Sequence, residues 1–199
     1  MLDPIDLYIL RQDSVADFFD LYFAPIIASY HVSQVEHWSF ALYAYAPTAD
    51  YEVGKLANPG LNVWTVTPTV GYTRLFKEGT LEFSALSGVE FYTENDATNY
   101  QNPEIFRLDL LVMKRYKNGW GLGLVGGWIQ QLSGDDGGLV TEITDGFKGR
   151  AFGLGPALGY THKTEAKNQI DFNFRWVPEF GVENRFEGGG LLVTVGFTF

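Results

Sequence analysis

Three histidines, His31, His37 and His162, are the only side chains here that commonly change charge near neutral pH. All three fall where the sequence predicts short turns, so general-base catalysis finds no support and an enzyme is not expected. No ligand spacing repeats among them, so no metal site is predicted. The chain has no cysteine, which removes disulfides, thiolate nucleophiles and thiolate-bound metals together. Asp135 and Asp136 are adjacent carboxylates, but they lie in a glycine-rich stretch where solvation accounts for them. The glycines of Gly119–Gly127 do not open a helix after a strand, which a dinucleotide site requires, and no cofactor is expected.

A different set of charges has a meaningful spacing. Arg107 and Asp109 are two positions apart, and Asp171 and Arg175 are four apart, so in extended chain each pair shares one face. Glu82, Glu90, Arg115 and Asn173 fall on the corresponding face of their own segments. These eight residues are the candidate lining of a lumen or solute pathway. They could form a charged constriction that selects solutes, or ion pairs that fill and stiffen the interior.

The elements that must carry them are strands. In Gln169–Trp176, Ile170, Phe172, Phe174 and Trp176 alternate with Gln169, Asp171, Asn173 and Arg175. Trp64–Tyr72 repeats the pattern, and further strands are predicted over 81–92, 106–114, 119–130, 152–161 and 191–199. Those over 21–30 and 38–45 are less regular. Aromatics make up 16% of residues and glycine is abundant, which favours strands and turns over helices. No apolar run approaches the roughly 20 residues of a spanning helix. With a net charge of −10 and no basic run, nucleic acid is not an expected partner.

Alternation alone does not separate a soluble sandwich from a membrane barrel. The connections do, because short ones (31–36, 76–80, 116–119, 162–168) alternate with long ones (48–61, 94–104, 133–148, 178–189). That is the rhythm of outer-membrane barrels. The long loops are acidic, while Lys77, Lys114, Arg115, Lys117, Lys163 and Lys167 lie at the short turns. Trp38, Trp64, Tyr92, Tyr116, Trp120, Trp128, Tyr160 and Trp176 fall near strand ends, as interfacial girdles require. The chain ends on an amphipathic strand closing with Phe199, which is similar to the signal read by the outer-membrane assembly machinery. The expected fold is therefore an all-β antiparallel transmembrane β-barrel of about 10 strands, spanning 20–199. Residues 1–19 form an irregular or partial first strand around Ile5–Leu10. Because such barrels have an even strand number and both ends in the periplasm, strands and an export signal are expected upstream.

Several spaced segments then resemble one family. Lys55–Pro68, Glu90–Asn95, Asn99–Gln101, Arg175–Phe180 and Glu183–Gly188 are similar to the outer-membrane transporters of the meta-pathway of phenol degradation. Tyr43–Tyr51 follows the same pattern, with Ala49 where glycine is usual. The likeness covers about residues 20–199. It implies a longer barrel of roughly 12 strands, located in the bacterial outer membrane and associated by gene context with uptake of aromatic or other hydrophobic compounds. The expected function is passive uptake of small hydrophobic or aromatic solutes. The expected surroundings are outer-membrane lipid and lipopolysaccharide. The alternatives are a non-transporting structural or adhesive barrel with a plugged lumen, and a soluble β-sandwich.

Overall fold

A computed structural model of the chain describes residues 14–137, 146, 148–164 and 168–199. The partial strand expected at Ile5–Leu10 lies outside them, as do Glu142, Asp145 and Lys167 of the loop and turn readings. Among the described residues nine strands follow one another: β1 (Leu21–Ser33), β2 (Glu36–Ala46), β3 (Thr65–Phe76), β4 (Leu81–Tyr92), β5 (Ile105–Arg115), β6 (Trp120–Gln131), β7 (Arg150–Lys163), β8 (Gln169–Glu183) and β9 (Gly189–Thr198). Each pairs antiparallel with its sequence neighbour, giving a single sheet in the order β1 to β9. The sheet curls into a half-barrel. Among the described residues, β1 pairs only with β2 and β9 only with β8.

The register carries the alternation across every strand. Glu82 opposes Met113, Met113 opposes Gly123, and Gly123 opposes Ala157, which in turn opposes Arg175 and then Leu192. All these residues therefore point to the concave side. The intervening residues, such as Phe83, Val112, Leu122, Leu158, Phe174 and Val193, point to the convex side.

On the concave side, β6 and β7 supply Gly121, Gly123, Gly127, Gly153, Gly155 and Gly159. A Cβ on Gly123 would lie 2.3 Å from the Val112 carbonyl, and one on Gly155 would lie 1.8 Å from that of Trp176. Only glycine lets the neighbouring backbones close to this extent. The sheet folds here so that β6 and β8 approach each other across β7. Leu111, Met113, Val125 and Ala157, with Val177 packed against them, fill the crease.

Prolines stand inside two central strands. Pro68 opposes Leu42, and Pro156 opposes Leu124. On their other sides the ladder is interrupted, between Val66 and Thr69 against β4 and between Gly153 and Ala157 against β8. A proline has no N–H to donate there, so one side of the ladder opens while the other holds.

The structure corrects two expectations. Strand β8 runs on to Glu183, so the connection expected over 178–189 is mostly strand. Pro178 still pairs with Gly189, the Glu179 N–H donates to the Gly188 carbonyl (3.0 Å), and Gly181 at φ 59° absorbs the irregularity beside β7. Tyr92, expected in an outward girdle, opposes Thr65 on the concave side. Its position is even, as is that of Trp120, but odd residues face inward on β5–β8 and even ones on β4 and β9.

Candidate functional site

All eight sequence-predicted lumen residues reach the concave face. Their partners differ from the simple network expected. Arg107 Nε lies 2.9 Å from Glu90, and Arg115 contacts Glu82 at 2.5 Å, both across the β4–β5 ladder. Asp171 is not bridged to Arg175. It accepts instead from the Thr161 hydroxyl and the Gln169 amide, each at 2.7 Å. Asn173 lies over Gly159, its Oδ1 3.4 Å from where a Cβ would stand. Asp109 and Arg175 have no ion pair among the described residues.

Asp109 and Arg175 line one cavity of about 580 Å³, whose wall runs from Ser29 on β1 to Leu192 on β9. Leu86, Leu111, Val125 and Val177 are among its apolar lining residues. The wall thus sets Asp109 and Arg175 beside an apolar stretch of the interior. At the short-turn end, His31 and His37 also face this cavity. They oppose each other across β1 and β2, with their Nδ1 atoms 2.7 Å apart.

At the loop end the concave face carries tyrosines that the sequence reading did not single out. Tyr22 stacks with Tyr43 at 5.6 Å and Tyr45 at 4.4 Å. Nearby, the Tyr92 hydroxyl donates to Glu90 (2.5 Å). The signal was present, because Tyr43 and Tyr45 keep step with Ser39 and His37 and not with Leu42. The irregular register of β1 after Phe23 hid the contribution of Tyr22.

The convex face is apolar and unburied: Leu122 is 52% exposed, Leu124 58% and Val193 50%. Two rows of rings border it. Near the short turns, Trp38 meets Tyr72 at 4.7 Å and Trp120 meets Tyr160 at 4.8 Å. Near the long loops, Phe106, Trp128, Phe152 and Phe180 follow one another at 5.1–6.0 Å. On β6 the rows are set by Trp120 and Trp128. Eight residues span about 27 Å of strand, or about 20 Å along the barrel normal at a tilt of about 40°. The outward apolar band of a membrane barrel is about 25 Å tall.

The long loops are tied into a rim. Asp20 accepts from the Ala49 and Leu61 N–H groups, each at 3.0 Å, and Asn62 donates to the buried Asn95 (2.9 Å). Gln101 pairs with Asp136, joining two successive loops. Burial, with the Asp135 carboxylate accepting from its hydroxyl, pushes the Tyr100 phenol up to about 12. The Glu104 carboxyl is held below its ordinary range by its own backbone N–H and the Ser133 hydroxyl.

A curled antiparallel sheet, apolar on its convex face and charged within, defines an all-β half-barrel. Within that class, residues 4–195 match the family described as "Putative MetA-pathway of phenol degradation", and the chain belongs to it. The match begins earlier than the likeness seen in the sequence, taking in most of the first 19 residues. No curated protein and no solved structure matches the chain.

Proposed function

We propose that the chain is part of an outer-membrane barrel that passes small hydrophobic or aromatic solutes by diffusion. The observation that carries this reading is the opposite chemistry of the two faces. A large apolar surface without a folded partner is costly in water and costs nothing against hydrocarbon. The concave wall, meanwhile, offers a route of suitable character. Solutes would meet the Tyr22, Tyr43 and Tyr45 rings at the loop end, then the apolar stretch beside Asp109 and Arg175. Aromatic rings and aliphatic walls favour aromatic solutes, and two unbridged charges can orient a polar substituent. Family membership supports a role connected with phenol breakdown. On this reading lipid and lipopolysaccharide surround the chain, and Phe199 closes the strand recognised during assembly.

A second reading has its own support. The crease packing of Leu111, Met113 and Val125 over glycine reduces the free bore, as a plugged structural barrel requires. Planar-bilayer conductance and liposome swelling with aromatic solutes separate the two. A channel gives flux that changes when Arg175 is replaced by alanine. A closed lumen gives none, and the same substitution alters only stability.

A further inference from the structure

The geometry points to a bis-imidazole site for a divalent transition metal, Cu(II) or Ni(II), formed by His31 and His37 on the β1–β2 hairpin. The two residues are directly opposed in the ladder, so their side chains leave the sheet together on the concave side. Their Nδ1 atoms converge to 2.7 Å, and both rings border the open cavity. Two neutral imidazoles at that distance share a single proton, one donating and one accepting. A metal can take the place of that proton. With metal–nitrogen bonds of about 2.0–2.1 Å, two ligands stand about 2.9 Å apart at a right angle and about 3.4 Å apart at a tetrahedral angle. The observed separation is nearer the first. It fits the tetragonal preference of Cu(II) and Ni(II) better than the tetrahedral one of Zn(II).

The surroundings permit such an ion. Ser29, Ser39, Thr73 and Ser84 face the same space from β1 to β4, and Glu82, held by Arg115, is the carboxylate lining the cavity at this end, with Asp171 further round the wall on β8. Asp109 and Arg175 border the cavity further along. Among the described residues no three of His, Asp and Glu converge, so water completes the coordination and binding is moderate and reversible. A loaded site adds two positive charges to the lumen wall near the short-turn mouth. Spacing along the chain could not reveal it, since the pair stand six positions apart on either side of a turn. The inference rests on the hairpin register and does not require that the barrel conduct.

The test is Cu(II) titration of the untagged full chain in detergent, followed by electron paramagnetic resonance. One equivalent with nitrogen hyperfine structure is expected. His31→Gln or His37→Gln should weaken binding about tenfold or more, while His162→Gln leaves it unchanged. Lowering the pH of the unaltered protein from about 7.5 to about 5 should release the ion, because protons compete for imidazole. This arm keeps the test decisive if a variant misfolds. No stoichiometric binding by the unaltered chain overturns the proposal, as does equal binding by folded His31→Gln and His37→Gln.

Discussion

On β8, Phe172 and Phe174 alternate with Asp171 and Asn173, and the two sets end in opposite surroundings. The phenylalanines join a convex face built from Leu158, Val193 and Val195, and among the described residues no second layer covers it. The aspartate and asparagine meet Thr161, Gln169 and the Gly159 backbone inside the curl. In a water-soluble sheet the apolar side would face the core and the polar side the solvent. Here the apolar side is the outer one, and the small packed core sits in a crease lined largely by glycine. Strand pairing gives this fold its order, and the medium around it decides whether its larger apolar face is satisfied.

The widest separation between the faces should come from charge. Leu124→Arg, at the middle of the convex band, is expected to cost about 2–4 kcal/mol of folding stability in lipid. Thr194→Lys, on the concave side of β9, should cost about 1 kcal/mol or less. Denaturant unfolding in liposomes measures both, and equal losses would erase the distinction between the faces. Within the concave wall, Gly155→Ala drives a methyl into the Trp176 carbonyl and should cost about 1–3 kcal/mol, whereas the roomier Gly126→Ala on the convex side should be within about 0.5 kcal/mol of neutral. Smaller still is Arg107→Ala. It breaks a partly exposed ion pair worth about 0.2–1 kcal/mol, yet it leaves Glu90 uncompensated and should shift single-channel ion preference toward cations.

The loop rim should respond to pH alone. Tyr100 has a folded-state value raised to about 12, so the stability it lends is complete below about pH 10 and is lost as the pH rises through about 12. Hydrogen exchange of the loops across that range should show the loss in the unaltered chain and not in Tyr100→Phe.

Much of this arrangement was legible beforehand, because period-two alternation is local and survives any register. It assigned seven charged residues and Asn173 to one face and placed the nine described strands, of the roughly 10 expected, although β8 runs well past its expected end. Partnership was not legible. Asp171 and Arg175 share a face, but the register sets Thr161 beside the first and Ala157 beside the second. The same limit hid the His31–His37 contact and the tyrosine cluster, which depend on which residues oppose each other across strands. Pro178 misled for a physical reason: a missing donor reads as a strand end, although a ladder near its margin tolerates one lost bond. Tyr92 was misassigned because nearness to a strand end says nothing about the side on which a ring emerges.

The absence of native cysteine allows single nitroxide labels to be placed one at a time from Ile170 to Trp176 in the chain reconstituted into bilayers. The account predicts that oxygen dissolved in the hydrocarbon relaxes labels at 170, 172, 174 and 176. A water-soluble nickel chelate should relax those at 171, 173 and 175. Labels at 172 and 174 shielded from both agents, with 171 and 173 outermost, would contradict it.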